Sequence, residues 1–520
     1  MADRNIYPEI APEKFRFAQL GDQITDKKLD TKPIGYFRDA WMRFRRNKAS
    51  VVAAVIIGIL LIFAIIGPMV SPYDVSYNDK YMIQKLPKCE AFAWAGWDGC
   101  STMTLSASDY WYYRAIGVET GMDPIVEVYD EFDIETAIGT MVTKKHYYKV
   151  SMDSYTRDGV IFATLTKNQY EALQAYQDEH GVQIIYPATP VASNSGASTI
   201  NQYNANNWYQ TQASGKNKGL PVGYDPETGL VAWENAYEPY TGTDGYHSRM
   251  RVEGEGEYLY NYAVAKQGGQ YYVRVHYYRY YEYLNGFEPS FLFGSNQYGQ
   301  DIFTRLSNGA RFSFLLSISV SMINMFLGAI YGSIAGYYGG TADIIMQRIS
   351  EILSGVPFMV VVTLFQLHLA EKVGVVTCLL FAFVATGWIG TAGLVRTLFY
   401  RFKNQEHVLA ARTLGASDAR LMFRHIFPNS LGTIITSSVL VIPGVIFSES
   451  TLSYLNIVNL ESSSITSVGT LLANGRGQMS SYPHIIFFPA LFISLLEISF
   501  NLFGNGLRDA FNPSLRGSDA

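Results

Sequence analysis

Apolar residues are concentrated in a few long runs, separated by segments in which charged, aromatic and polar residues mix. A helix needs about 20 consecutive apolar residues to cross a bilayer core of about 30 Å. Six runs approach that length: Val51–Val70, Phe312–Tyr331, Ile352–Leu369, Val373–Val395, Leu431–Phe447 and Ile485–Leu502. The pattern therefore predicts an all-α membrane protein with six transmembrane helices. Many residues precede the first run and no small-residue cleavage site follows it, so we expect a permanent span rather than a signal peptide.

The distribution of lysine and arginine predicts the orientation, because cytoplasmic loops are enriched in these residues. Residues 37–48 carry five basic residues against one acid, and residues 396–428 carry six against two. In contrast, residues 448–484 contain a single basic residue, Arg476. With six spans, the two basic segments fall on one side. We therefore expect a multi-pass plasma-membrane protein with both termini in the cytoplasm.

A long hydrophilic segment, residues 73–290, separates the first run from the second and holds most of the tyrosines. Thr166 and Gln169 form a capping pair ahead of a helical pattern that ends at Gly181 and is followed by a strand. Over residues 256–284, alternating aromatic and polar residues on both sides of Gly268-Gly269 favour a β-hairpin. We expect an extracellular α+β domain inserted between the first and second spans. Its tyrosines serve either packing and a polar rim or a surface for a ligand or partner.

These patterns divide the chain into five parts. They are a cytoplasmic tail with an amphipathic helix (1–48), the first transmembrane helix (49–72), the insertion (73–290), a five-helix core (291–510) with a polar hairpin at 404–428, and a cytoplasmic C-terminal tail (511–520).

The sequence offers little catalytic or metal-binding chemistry. It lacks a phosphate-binding loop, an H-E-x-x-H or G-x-S-x-G motif and a paired Cys-x-x-Cys. Cys89 and Cys100 both fall in the insertion and could form a disulfide, which their spacing alone does not decide. Two cysteines without a nearby histidine make a poor metal site. We therefore expect no catalytic residue, no metal site and no cofactor bound by this chain.

The polar hairpin stands out among the apolar runs. The pattern predicts one helix over Glu406–Leu414, a stop at Gly415, and a second helix from the cap Ser417 to Phe427, followed by Pro428. Asp418 would lie at the positive end of the second helix. The small residues near the turn leave a surface that another protein can approach closely. A basic amphipathic helix lying on the lipid is the alternative.

Polar residues inside the apolar runs are candidates for a transport pathway, because ionised groups there are costly and usually face a cavity or partner. Glu497 and Asn501 share one face of the last run. The sequence is consistent with two roles for this pair: they form hydrogen bonds between helices, or they line a passage.

The hairpin resembles the signature of the permease subunits of ATP-binding-cassette importers, in their oligopeptide and dipeptide branch. That signature is Ala-Ala, three residues, Gly, and a run ending in Pro, which Ala410-Ala411, Gly415 and Pro428 match. Leu409 stands where the family usually has Glu, and Glu406 lies one turn earlier.

A second block, FGSNQYGQDIFTRLSNGAR ahead of the second run, is similar to another pattern of this family. The matching residues are Gly294, Gly299, Asp301, Arg305, Gly309 and Arg311; Ser295, Asn296 and Gln300 depart from it. The large insertion is not typical of the family.

The resemblance implies that a second permease completes the pathway, that two cytoplasmic ATPase subunits carry ATP and Mg²⁺, and that an extracellular binding protein delivers the peptide substrate. It implies contact with the ATPases for Glu406, Leu409, Ala410, Ala411, Gly415, Ala416 and Asp418. Three alternatives remain: a membrane-anchored receptor that signals to a cytoplasmic partner, an ion-driven transporter, and an importer of another small solute such as a metal chelate. No nucleic-acid partner is indicated.

Overall fold

The structure, a computed structural model, describes residues 36–138, 141–186, 204–233, 264–266, 269–460 and 465–511. Within these ranges five helices are long and apolar enough to cross a membrane. They are Lys48–Val70, Ile302–Tyr338, Val375–Phe402, Asp418–Tyr454 and His484–Phe511. Two further helices, Gly340–Ser354 and Phe358–Val373, meet the same test only as a pair bent by 72°. We number the spans one to six in chain order and count the bent pair as the third.

The bent pair corrects the predicted third run, Ile352–Leu369, which crosses the break between the two helices. The first helix of the pair ends at Ser354, and Pro357 precedes the second. Proline lacks an N–H group, and the residue before it is driven out of the helical conformation. Hydropathy alone cannot report such a bend, since both sides of the break are apolar.

The remaining helices of the described chain are shorter. They are Tyr36–Arg46, Ala107–Thr120, Lys167–His180, Tyr277–Asn285, Glu406–Thr413 and Val468–Gly475, with short 3₁₀ turns at Glu90–Ala95 and Arg476–Gln478. The helix Tyr36–Arg46 lies against the end of the sixth span, where the rings of Phe44 and Phe503 are 5.3 Å apart.

Close approach of the second and fourth spans depends on glycine. A methyl group at Gly332 would lie 2.3 Å from the carbonyl oxygen of Ala392, and one at Gly336 would lie 2.6 Å from that of Arg396. Glycines four residues apart allow two helix backbones to touch, as in other membrane helix pairs. This contact fixes the end of the second span, which carries Tyr337, against the fourth span.

The described part of the insertion forms nine strands in three antiparallel sheets. The strands are β1 (Cys100–Ser106), β2 (Ile125–Ile138), β3 (Met141–Asp153), β4 (Val160–Thr166), β5 (Ile185–Tyr186), β6 (Tyr224–Asp225), β7 (Leu230–Val231), β8 (Val264–Lys266) and β9 (Gln270–His276). The first sheet has the order β1-β3-β2, and the second has the order β4-β9-β5, with β8 also paired to β9. β6 and β7 pair with each other.

The sequence predictions for the insertion are partly confirmed. The helix Lys167–His180 has the full capping box of Thr166 and Gln169, and Gly181 adopts the left-handed conformation after it. The hairpin around Gly269 is formed by β8 and β9. The predicted strand beyond His276 is wrong, because Tyr277–Asn285 is a helix that buries Tyr277, Tyr278 and Tyr281 on one face. The part of the predicted hairpin before Val264 lies outside the described residues.

Candidate functional site

The first arm of the hairpin, Glu406–Thr413, ends in a Schellman motif. The N–H of Ala416 donates to the carbonyl of Ala411 (3.1 Å), and that of Gly415 donates to the carbonyl of Arg412 (3.0 Å). Gly415 has φ of +83°, a conformation that favours glycine. The predicted stop at Gly415 is confirmed, although the helix itself ends one residue earlier than predicted.

The second arm is not a separate short helix, and this corrects the predicted boundary at Phe427 and Pro428. Asp418 begins a helix that continues directly into the fifth span, which reaches Tyr454 with a one-residue turn at Leu440. A π-helical turn, Leu421–Ile426, lies directly ahead of Pro428. The π turn widens the helix where the proline ring would meet the carbonyl group of the preceding turn. The second arm is therefore continuous with the first part of the fifth span, up to Val439.

The inner side of the hairpin is held by apolar packing. Val408 on the first arm and Leu421 and Ile426 on the second are fully buried. They pack in one cluster with Tyr337 of the second span and Phe399 of the fourth. Each fully buried aliphatic side chain contributes about 1.5–3 kcal/mol, so this packing fixes both arms to the ends of two spans.

The outer side of the hairpin exposes large apolar side chains. Leu414 at the turn is 87% exposed, Phe423 is 69% exposed and Leu409 is 42% exposed. Glu406, Ala410, Gly415 and Asp418 are exposed as well, whereas Ala411 and Ala416 are half-buried against the inner cluster. Five of the seven predicted coupling residues are thus exposed, and the other two, Ala411 and Ala416, also take part in the internal packing.

A polar contact joins the hairpin to the second span. The hydroxyl of Tyr337 donates to Asp418 Oδ1 at 2.5 Å, and Arg412 Nη2 lies 3.5 Å from the same hydroxyl. Ser417 precedes the second arm as predicted, but its side chain makes no capping hydrogen bond. The Asp418 carboxylate therefore binds the neighbouring span while also lying at the positive end of its own helix.

An ion pair forms a further contact between spans at this end of the bundle. Asp343, in the first helix of the bent pair, accepts hydrogen bonds from Arg396 Nε (2.5 Å) and Nη2 (2.6 Å) and from the Tyr400 hydroxyl (2.9 Å). Two parallel N–H···O bonds give a guanidinium–carboxylate pair both strength and fixed orientation. The third and fourth spans are thereby linked at the hairpin end of the bundle.

The pathway candidates lie on the sixth span, where Glu497 is half-buried and Asn501 is exposed. Asn501 Nδ2 donates to the Glu497 carbonyl of its own helix (2.9 Å) and does not contact a neighbouring helix through this bond. Glu497 Oε1 is buried, and no described residue donates a hydrogen bond to it. Glu497 Oε1 is therefore a hydrogen-bond acceptor that no described residue of this chain satisfies.

Sequence reasoning missed a second glutamate, Glu449, which is buried inside the helical bundle. Glu449 on the fifth span is fully buried and accepts hydrogen bonds from Ser313 (3.2 Å) and Ser453 (3.0 Å). The predicted run stopped at Phe447, because the residues after it are polar. The serines around Glu449 in the sequence could have indicated a hydrogen-bonded, buried carboxylate.

The two cysteines of the insertion are free in the structure, so the disulfide considered for Cys89 and Cys100 is not formed. Both are half-buried, and the Cys89 N–H donates to the carbonyl of Trp97 (2.8 Å). Burial raises the pKa of the Cys100 thiol to about 11, which keeps it in the less reactive protonated form.

Comparison with known proteins agrees with these features. Residues 328–517 match the family described as binding-protein-dependent transport system inner membrane component. Residues 35–87 match the N-terminal TM domain of oligopeptide transport permease C. Neither match includes residues 88–327, which contain most of the insertion.

Individual relatives agree with both matches. The oligopeptide transport system permease protein of Bacillus subtilis (strain 168) is 42% identical over 224 residues, covering 43% of this chain and 72% of the relative. The dipeptide transport system permease protein of the same strain is 39% identical over 225 residues, covering 43% and 69%. The oligopeptide permease protein of Escherichia coli (strain K12) is 34% identical over 232 residues, covering 44% and 74%. The chain therefore belongs to the family of oligopeptide and dipeptide transport permeases, which are membrane subunits of ATP-binding-cassette importers.

Proposed function

We propose that this subunit pairs with a second permease to form a pathway for oligopeptides or dipeptides, and that two cytoplasmic ATPase subunits drive it by binding the hairpin. In this proposal the hairpin end of the bundle and both termini face the cytoplasm. The insertion faces outward, where a substrate-binding protein delivers the peptide. ATP and Mg²⁺ are bound by the ATPases and not by this chain.

The observation that carries the proposal is the contrast between the two sides of the hairpin. Its inner side is fixed to the second and fourth spans by Val408, Leu421 and Ile426. Its outer side exposes Leu414 and Phe423. Exposed apolar clusters rimmed by polar residues mark interaction sites, and the ATPase subunits of the family's importers supply a partner.

The continuous helix gives a physical route for the movement. Force on the turn at Gly415 acts directly on the helix that starts at Asp418 and becomes the fifth span. The Tyr337–Asp418 hydrogen bond extends the same force to the second span. Binding energy from the ATPases then biases the pathway between two states, one open to each side.

Reconstitution tests the proposal. The permease pair and ATPases are purified together, placed in liposomes, and supplied with the binding protein and a labelled tripeptide. We expect uptake with ATP and none with a non-hydrolysable ATP analogue. ATP-driven uptake of a metal chelate but not of peptide would overturn the substrate assignment. Uptake driven by an ion gradient without ATP would overturn the mechanism.

A further inference from the structure

A cleft of about 590 Å³ opens on the insertion, away from the hairpin. Its volume falls within the range of small-ligand sites, about 300–1,000 Å³. The lining is mostly polar and includes Tyr81, Tyr112, Tyr113, Arg157, Asp158 and Asn204. These residues come from separate parts of the chain, and all of them are half-buried. The cleft is therefore assembled by the fold of the insertion.

The cleft carries one positive charge without a partner among the described residues. Its charged lining groups are Arg157 and Asp158. The Asp158 carboxylate forms an ion pair with the ammonium group of Lys85. Lys85 is 1% exposed, and its ammonium group also donates to the Ser154 carbonyl at 2.7 Å. No described residue forms a hydrogen bond or ion pair with the Arg157 guanidinium. A guanidinium group presents paired N–H donors that fit a carboxylate.

The walls of the cleft are held in place. The Tyr112 hydroxyl donates to Asn204 Oδ1 (3.2 Å) and accepts from Asn206 Nδ2 (3.2 Å). Tyr81 packs on the ring of Tyr277, with centroids 4.7 Å apart. Aromatic rings supply contact area at a low cost in conformational entropy, and amide groups can pair with a peptide backbone. Positive charge, aromatic walls and amides together suit a short peptide that ends in a carboxylate.

The cleft is also attached firmly to the bundle. Lys85, which pairs with Asp158, donates its backbone N–H to Ser295 Oγ (2.8 Å) and accepts from the Ser295 N–H (2.9 Å). A methyl group at Gly294 would lie 2.5 Å from the Lys85 carbonyl oxygen. Ser295 belongs to the turn that leads into the second span at Ile302. Lys85 therefore connects Asp158 in the lining of the cleft to the start of that span.

We infer that this cleft binds the C-terminal carboxylate of a short peptide through Arg157, at the outer end of the pathway. The inference rests on the proposed function in one respect, which is that peptides are the cargo. The cleft gives the permease its own recognition of peptides, separate from that of the binding protein.

The test uses the complete transporter in nanodiscs without the binding protein. The probes are the tripeptide Ala-Tyr-Ala with a free C-terminus and the same tripeptide with an amidated C-terminus. We expect the free acid to bind at least about tenfold more tightly, as a lost charged hydrogen bond implies. Arg157→Gln should remove this preference, and Arg157→Lys should retain part of it. Arg279→Gln is the control, because Arg279 lies on the insertion but is paired with Glu282 (3.0 Å).

Equal binding of the two tripeptides, or binding of neither, overturns the inference. An effect of Arg157→Gln on docking of the binding protein alone overturns it too and makes the cleft a docking surface. ATP-driven uptake by the unmodified transporter is measured in parallel. Uptake without carboxylate preference leaves the proposed function standing and removes the inference. Carboxylate preference without ATP-driven uptake leaves the inference standing and removes the proposed function.

Discussion

The hydroxyl of Tyr337 donates a 2.5 Å hydrogen bond to Asp418 Oδ1, and this bond joins the end of the second span to the start of the helix that becomes the fifth. Arg412 on the first arm approaches the same hydroxyl. The three side chains hold the two arms of the hairpin and the second span in one arrangement. A movement of the hairpin therefore reaches two spans at once.

We expect Tyr337→Phe to weaken this link without disturbing the fold. A hydrogen bond to a charged group is worth about 1.5–3 kcal/mol, and the ring of Tyr337 keeps its place in the apolar cluster. ATP-driven uptake should fall several-fold while ATPase subunits still co-purify. Tyr338→Phe is the matched control, since Tyr338 is 59% exposed and its hydroxyl has no hydrogen-bond partner among the described residues. Equal uptake by the two variants would show that the link does not serve coupling.

Gly415→Val should abolish most ATP-driven uptake. Its φ of +83° makes any side chain costly, by about 1–3 kcal/mol. A Cβ atom at Gly415 meets nothing within 4 Å in this chain, so further loss must come from a docked partner. Alanine, which adds strain but little bulk, should be milder.

Gly374→Val controls for strain in the Gly415 experiment. Gly374 has φ of +84° and equally open surroundings, but it lies between the third and fourth spans, away from the hairpin. We expect this variant to transport far better than Gly415→Val. The lipid-surface interpretation of the hairpin instead predicts normal transport by Gly415→Val, and that result would remove the coupling assignment.

We expect Glu497→Gln to reduce uptake while leaving assembly with the ATPases intact. Its Oε1 atom has no donor among the described residues, and its neighbour Asn501 bonds within the same helix. Both features indicate that Glu497 faces the pathway or the second permease. They do not indicate that it forms hydrogen bonds between helices of this chain. Size-exclusion chromatography measures assembly, and Glu371→Gln, at another carboxylate of the membrane region, is the control. Loss of the complex would identify Glu497 as structural.

The insertion should lose stability in acid because of His276. Burial, with a smaller effect of the Arg279 charge, lowers the pKa of His276 to about 3. In the unfolded chain the imidazole of His276 binds a proton near pH 6.5. The contribution of neutral His276 to the free energy of unfolding is therefore fully present above pH 6.5 and is lost as the pH falls toward 3. At pH 5 the loss is about 2 kcal/mol.

His276→Phe should flatten the pH dependence of thermal unfolding between pH 7 and pH 5, followed by tyrosine fluorescence of the complete transporter. His180→Gln should leave the slope unchanged, since His180 is exposed on the helix Lys167–His180. An unchanged slope in His276→Phe would mean that His276 is solvated or paired in solution.

Local signals in the sequence were reliable where neighbouring residues decide the conformation. The capping box at Thr166 and the stop at Gly415 depend on a few adjacent residues, and both are present in the structure. Pro428 misled because its helix-breaking tendency is offset by the π turn before it. The helix at Tyr277–Asn285 was missed because clustered tyrosines suit a strand as well as a helix. The cleft was not predictable, since Tyr81, Arg157 and Asn204 meet only in the folded insertion.

Photo-crosslinking from Leu414 tests the role of the hairpin most directly. A benzophenone amino acid replaces Leu414, and in a control replaces Trp94, which is 86% exposed on the insertion. Illumination of the purified complex should join position 414 to an ATPase subunit and position 94 to none. Crosslinks from position 414 to lipid alone, with the ATPases present and active, would contradict docking of the ATPases on this hairpin.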